Sequence, residues 1–354
     1  MLVKDILHNV YSGKRVSFAE GIYLLENAEL LELGEAARYI ADKKHPENII
    51  TFVIDRNINY TNICKTKCRF CAFHRGPNHP DAYVISTEEL NEKIEETIAH
   101  GGTQLLIQGG LNEDLSLEYY LSLLQGIKEN YDIHIHSFSP PEIIHIADKE
   151  GLTIRNVLEQ LREAGLDSIP GGGAEILTDR VRNYISPLKV STAQWLEVMR
   201  QAHLIGMRTT ATMMFGSVET LEERIIHLDH LRSLQDENRG FTAFIPWSFQ
   251  PVNTEIGGET ATGVEYLRML AVARIYLDNF DNIQASWVTQ GAKMAQVALW
   301  FGANDFGSTM LEENVVRAAG VINKVPLSEI LHCITAAGKQ PAQRDTYYNI
   351  LKRY

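Results

Sequence analysis

Three cysteines lie within eight residues, Cys64-Lys-Thr-Lys-Cys68-Arg-Phe-Cys71, with the spacing C-x3-C-x2-C. Thiolates are soft donors, and three on one short loop can converge on a soft metal centre. A [4Fe–4S] cluster held by three cysteines leaves one iron open to an external ligand, which makes it a reactive site rather than an electron store. The alternative is a zinc site, with His74 or His79 completing a Cys3His set. The fourth cysteine, Cys333, stands far away in helix-like LSEILHCITAAG and reads as a small buried hydrophobe. A disulfide framework is not built from such a distribution.

The elements around this loop alternate. The first 49 residues read as helical, with Ser17 and Glu20 forming a capping-box pair before an apolar stripe. The β-branched start of ITFVIDRNINYTN reads as a strand that delivers the chain into the cysteine loop. Strand-like segments then begin near residues 50, 103, 132, 167, 208, 241, 282 and 303, separated by helical patterns such as STEELNEKIEETIAH and STAQWLEVMRQAHLIG. Strand–helix alternation implies parallel pairing, because each helix returns the chain across the sheet. Eight such units predict an α/β fold of the (β/α)8 TIM-barrel type, with functional groups on the loops after the strands. The expected division is an N-terminal helical extension (1–49), the barrel (50–310) and a C-terminal extension packed on it (311–354). An open doubly wound sheet is the alternative. Gly171–Gly173 lack the G-x-G-x-x-G spacing of a dinucleotide fingerprint.

Cys-x3-Cys-x-aromatic-Cys, with Phe70 as the aromatic, is similar to the signature of the radical S-adenosylmethionine superfamily. Narrower matches, DRNINYTNIC, CAFHR, SIPGGGAEIL, WFGANDFGSTMLEENVV and PAQRDTYY, resemble the cyclic dehypoxanthinyl futalosine synthases of the futalosine route to menaquinone. They stretch from about residue 54 to residue 348. The resemblance implies that Cys64, Cys68 and Cys71 hold a [4Fe–4S] cluster whose open iron is chelated by S-adenosylmethionine. It also implies the reaction: hydrogen abstraction at ribose C4′ of dehypoxanthine futalosine, attack of the carbon radical on the attached benzoate ring, and loss of an electron and a proton. An electron donor such as a flavodoxin or ferredoxin is implied as a partner. The nearest enzyme alternatives are aminofutalosine synthase and the deazaflavin-forming radical enzymes; a zinc-bound interaction module is the alternative from another class.

Within that resemblance further positions acquire roles, each beside a plainer one. Gln108-Gly109-Gly110 stands where such barrels often carry a Gly-Gly-Glu-like motif for the methionyl amine, but Leu111 replaces the acid. Backbone carbonyls could serve instead, since glycines permit close approach; a tight turn is the plainer reading. His134, His136 and Ser137 end the third strand. Ser137 is expected on the cofactor and His136 on the substrate, with packed core histidines as the alternative. Glu175 is expected to accept from ribose hydroxyls of the cofactor, or else to sit at a helix start. Arg180 and Arg182 could contact the cofactor carboxylate or form surface pairs. Asn304 and Asp305 are expected to bind substrate, and Asp305 to take the final proton; a buried Asp there needs a partner. Trp247, Gln250 and Trp287 offer walls and one polar group. Gln343, Arg344 and Asp345 read as a lid or as a pair closing the barrel.

Composition bounds the partners. The 354 residues carry 33 basic and 45 acidic side chains, a formal charge of −12. That balance argues against a non-specific nucleic-acid or anionic-membrane binder. Charges interrupt every apolar run of MLVKDILHNVYSGKRVSF, so no signal-peptide core is read, and no stretch approaches the roughly 18 apolar residues of a membrane span. A cytoplasmic enzyme with reduced thiols is expected.

Overall fold

The chain ITFVIDRNI forms one strand interrupted only at Ile54, giving β1 (Ile49–Val53) and β2 (Asp55–Ile58), both buried throughout. Burial on both faces suits its β-branched start and a parallel sheet covered by helices. A computed structural model describes residues 2–354. In it β2 begins a seven-stranded parallel sheet that continues through β3 (Gln104–Ile107), β4 (His134–Ser137), β5 (Ser168–Ile169), β6 (Arg208–Phe215), β7 (Phe241–Ser248) and β8 (Asn282–Ile283). β9 (Asp305–Ser308) pairs in parallel with β1, and one bridge from Gln284 to Asp305 joins it to the end of β8. The sheet thus curls into the expected TIM-type barrel, with a thin seam between β8 and β9. The eight strands begin at residues 49, 104, 134, 168, 208, 241, 282 and 305, close to their expected starts.

Local sequence explains most helices. Three helices, Val3–Tyr11, Phe18–Asn27 and Leu30–Lys44, precede the barrel, and Ser17 and Glu20 close the capping box. Ser191 and Gln194 close another before Thr192–Leu204. Two helices longer than a single turn were not part of the sequence reading, Pro140–Glu150 and Asp179–Ile185. The first carries its start and stop openly: Pro140 and Pro141 supply the fixed φ of a first turn, and Gly151 ends it at φ 65°. No helix among the described residues is long and apolar enough to cross a membrane.

The C-terminal segment enters the barrel wall. β10 (Gln340–Arg344) pairs in parallel with β1, and β11 (Ile350–Arg353) pairs antiparallel with β10. β9 holds one edge of β1, so β10 must occupy the opposite edge, which β3 takes higher up along β2. Side chains mark the wedge between β1 and β3: Gln343 Nε2 donates to the Gly101 carbonyl at 3.0 Å, and Thr346 Oγ1 donates to Gln104 Oε1 at 2.7 Å. This insertion brings Arg344, Thr346 and Tyr348 to the floor of the barrel.

Candidate active site

Alternate residues of the strands face a cavity of about 290 Å³ inside the barrel: Asp55 and Asn57 on β2, Gln104 and Leu106 on β3, Thr210 and Thr212 on β6. The period of two is that of any strand, one face to the helices and the other to the lumen. Trp247 and Trp287 wall the cavity, the latter fixed by an indole N–H donated to the Ser308 carbonyl at 2.7 Å. Gln250 turns away and donates to Ser248.

The cysteine loop follows β2 and is tied down by its backbone. Cys64 N–H donates to the Arg75 carbonyl (3.1 Å), Lys65 N–H to Leu111 (3.0 Å) and Arg69 N–H to Ile185 (2.8 Å). The three thiols are free, and the Cys64 and Cys68 sulfurs lie 3.1 and 3.5 Å from one hydroxyl, Thr66 Oγ1. Burial pushes the Cys68 thiol up to about 11, against the opposing field of the Lys189 ammonium. A thiol so placed gives up its proton when a metal cation replaces it. Among the described residues no three His, Cys, Asp or Glu side chains converge on a single-ion position. His74 Nδ1 is engaged with the Cys71 carbonyl at 2.9 Å, and His79 Nδ1 accepts from Asp81 N–H at 3.1 Å. Three free thiols on one tied-down loop are a donor set that fits an iron–sulfur cluster with one open iron.

The glycines after β3 are required by contact with this loop. A Cβ on Gly110 would stand 2.2 Å from the Ile63 carbonyl oxygen and 2.8 Å from Cys64 Cβ, and one on Gly109 would stand 2.4 Å from the Tyr60 ring. Gly109 N–H donates to Glu142 Oε1 at 3.1 Å, and the same carboxylate accepts from Tyr60 Oη (2.7 Å) and Ser139 Oγ (2.5 Å). Burial raises the Glu142 carboxyl to about 7 despite these donors. The sequence reading missed Glu142; its signal is Ser139-Pro-Pro-Glu142, an S-x-x-E helix start. Gln108 lines the cavity, whereas Gly109 and Gly110 stand behind the wall.

Glu175 lines the cavity in a left-handed backbone conformation, φ 42°. Strain of that kind in a non-glycine residue gathers at functional sites. Its Oε1 meets Lys189 Nζ at 3.0 Å, while its buried Oε2 has no hydrogen-bond partner and lies 3.6 Å from Arg182. A buried carboxylate oxygen left free at a cavity wall is suited to a ligand hydroxyl or ammonium. Lys189, which the sequence reading missed, also sits 5.3 Å from the centre of the half-buried Phe70 ring. It therefore ties the cysteine loop to Glu175. Neither nearby arginine is available: Arg182 donates to the carbonyls of Gly173, Ala174 and Val190, and Arg180 pairs with Glu223.

The third-strand and eighth-strand residues part company. His136 lines the cavity, with Nδ1 on Ser168 Oγ at 2.7 Å, and burial holds its pKa down to about 3, so it is neutral. Ser137 turns from the lumen and donates to the Ile107 carbonyl at 2.8 Å. His134 Nε2 meets the same Ser168 hydroxyl at 2.7 Å. Asn304 and Asp305, expected on the substrate, do not line the cavity. Asn304 accepts from Arg274 and from Ile283 N–H and donates to Asn282. Asp305 is fully buried and accepts from Thr51 Oγ1 (2.5 Å), Gly307 N–H (2.9 Å) and two Arg344 nitrogens (2.5 and 3.1 Å). Its partner is the inserted strand β10, so the structure makes Asp305 half of the pair that locks the barrel floor. The carboxylate that does face the lumen there is Asp55.

Comparison with known proteins bears on this arrangement. Residues 58–231 match the radical SAM superfamily, and residues 238–353 match the CofH/MqnC C-terminal region. A cyclic dehypoxanthine futalosine synthase of Halalkalibacterium halodurans is 49% identical over 100% of this chain and 96% of its own length. The chain belongs to the radical S-adenosylmethionine superfamily. A second cyclic dehypoxanthine futalosine synthase, from Streptomyces coelicolor, is 42% identical over 99% of this chain and 89% of its own. A 5-amino-6-(D-ribitylamino)uracil–L-tyrosine 4-hydroxyphenyl transferase of Archaeoglobus fulgidus is 44% identical over 88% and 92%. Among solved structures, the FeFe-hydrogenase maturase HydG of Carboxydothermus hydrogenoformans superposes with a TM-score of 0.79 at 18% identity, over 98% of this chain and 80% of that one. Methylornithine synthase follows with 0.76 at 19% identity, over 95% and 97%. At such identities these two speak for the barrel fold alone.

Proposed function

We propose that the protein converts dehypoxanthine futalosine to its cyclic product in menaquinone biosynthesis. The observation that carries the reading is the end-to-end identity of 49% with a cyclic dehypoxanthine futalosine synthase, in a chain whose three-cysteine loop follows β2, a strand that also lines the barrel cavity. Cys64, Cys68 and Cys71 would hold the [4Fe–4S] cluster; bound with S-adenosylmethionine, that group supplies hydrogen abstraction at ribose C4′. The chain's own residues do the rest. Glu175, fixed by Lys189, offers its free Oε2 to a cofactor hydroxyl or amine. Gln108 and the Gly109–Gly110 turn press the cofactor side of the cavity against the cysteine loop, with Phe70 beside Lys189. His136, neutral, can donate or accept a hydrogen bond from the substrate. Trp247 and Trp287 exclude water and present aryl C–H bonds, which are too strong for a carbon radical to break. The electron arrives from a small donor such as a flavodoxin or ferredoxin, in the cytoplasm.

The 44% identity with the Archaeoglobus transferase supports a second reading, transfer of a 4-hydroxyphenyl group to a ribitylaminouracil. One anaerobic experiment separates them. Reconstituted, reduced protein is incubated with S-adenosylmethionine and either dehypoxanthine futalosine or tyrosine with the ribitylaminouracil, and products are read by mass spectrometry. The expected result is free 5′-deoxyadenosine and a product lighter than dehypoxanthine futalosine by two hydrogens. Turnover of the tyrosine pair alone would select the second reading, and an adenosyl adduct would reject both. Protein that binds one zinc and no iron after reconstitution would remove the radical chemistry altogether.

A further inference from the structure

Cyclisation onto an aromatic ring leaves a proton on the attacked carbon, and restoring aromaticity requires a base at the substrate. Among the described residues three carboxylates line the cavity: Asp55, Glu175 and Glu313. Glu175 is paired with Lys189. Glu313 accepts N–H bonds from Val315, Val316 and Arg317 and is spent on starting a short helix. Asp55 is held by neutral donors, Ser308 Oγ on one oxygen, Gln104 Nε2 on the other at 2.8 Å, and the Met310 N–H beside them. The cation nearest to it, Arg344, already gives two nitrogens to Asp305. A carboxylate with no cation hydrogen-bonded to it keeps much of its basicity, and Asp55 is 2% exposed at the wall of the lumen. His136, the other basic group there, is a poor acceptor, since burial holds its pKa at about 3, whereas burial raises Asp55 to about 6.

We propose that Asp55 is the base that removes the ring proton after cyclisation. This rests on the cyclase reading above. The C–H bond at the newly joined ring carbon breaks, its electron pair stays in the ring, and an O–H bond forms on the Asp55 carboxylate. The ring then carries one surplus electron, which leaves to a one-electron acceptor of the iron–sulfur class, and aromaticity returns. Ser308 and Gln104 hold the carboxylate plane in place through the transfer.

The test is the ratio of cyclic product to 5′-deoxyadenosine in Asp55→Asn, beside equilibrium binding of dehypoxanthine futalosine to the reconstituted protein by calorimetry. Asn keeps the shape and the Ser308 and Gln104 contacts. The proposal expects binding to stay within a few-fold of wild type and 5′-deoxyadenosine still to form. Product per 5′-deoxyadenosine should fall by about 10²-fold or more, the usual contribution of a general base, with Asp55→Glu recovering part of it. A ratio unchanged in Asp55→Asn overturns the proposal. Loss of substrate binding, or of 5′-deoxyadenosine formation, also overturns it, because Asp55 would then be a binding or positioning group. Wild-type protein supplies a second measurement that needs no variant. The groups facing Asp55 are Ser308 and Met310 N–H from the β9 side, Gln104 on β3, and Arg344 with Asp305 across the floor. Burial raises the Asp55 carboxyl to about 6, so the product ratio should drop below that pH in wild type and lose that drop in Asp55→Asn; a flat wild-type ratio counts against the assignment. Wild-type protein forming no 5′-deoxyadenosine with this substrate would instead reject the cyclase reading itself.

Discussion

Replacing Glu142 by Gln isolates what it takes to keep a carboxylate under the glycine turn. Glu142 is 3% exposed, and its three donors are neutral: Tyr60 Oη, Ser139 Oγ and Gly109 N–H. Burial is the largest influence on its pKa and raises it from 4.5 to about 7. A carboxyl raised on folding contributes stability that is fully present below its unfolded pKa and is lost as pH climbs through the folded value. The window here runs from about pH 4.5 to about pH 7, and the shift corresponds to about 3 kcal/mol lost by pH 8. Gln keeps an acceptor oxygen for Tyr60 and Gly109 and does not ionise, and the value of about 7 already contains what the three donors contribute to the charged form. Glu142→Gln should therefore be more stable than wild type at pH 8 by about 3 kcal/mol, several degrees in Tm, and close to it at pH 5. Unfolding of both proteins at the two pH values, followed by circular dichroism, gives the answer. A stability difference independent of pH, or a variant weaker at pH 8, would refute the reasoning; the second result would mean that the ionised carboxylate is compensated by a positive field that these contacts do not contain.

Gly110→Ala places a methyl 2.2 Å from a backbone oxygen of the cysteine loop, which cannot rotate away. The expected outcome is about 1–3 kcal/mol of destabilisation and markedly less iron retained per chain after reconstitution, whereas Gly126→Ala, with nothing within 4 Å of its Cβ, leaves iron content unchanged. Asp305→Asn strands the buried Arg344 guanidinium and should lower stability by about 3–5 kcal/mol, read as the midpoint of guanidinium unfolding. If the pair serves only to lock β10, combining Asp305→Leu with Arg344→Met restores a good part of that loss.

Much of this was legible in sequence because it depends on near neighbours. The cysteine spacing, the capping boxes at Ser17 and Ser191, and the β-branched run that starts β1 each act within a few residues. What stayed hidden depends on distant partners. Asp305 looked like a substrate group because its partner, Arg344, lies 39 residues away in a segment that reads equally as a lid or as a pair closing the barrel. Gln-Pro-Ala-Gln-Arg lacks the β-branched and aromatic residues that mark a strand, and forms one because the free lower edge of β1 pairs with it. Lys189 and Glu142 were passed over for a similar reason: in sequence they are ordinary charges, and only folding buries them against Glu175 and the Gly109 turn.

One signal was present and unused. TIM-type barrels ordinarily fill their lumen with branched apolar side chains. Here the strands carry apolar residues on the face toward the helices, such as Ile54, Leu105, Ile107, Ile135 and Met213, while Asp55, Asn57, Gln104, Gln108, His136 and Thr212 point inward. A strand that must be buried on both faces yet alternates apolar with polar residues has an inner face that does not pack on itself. Such a face costs free energy unless its polar groups find partners, and Asn57 Oδ1 on β2 finds none. The alternation in DRNI, QLLIQ and HIHS therefore marks a lumen held open for a polar ligand, and it singles out Asp55, which a motif-centred reading passes over in favour of Asp305.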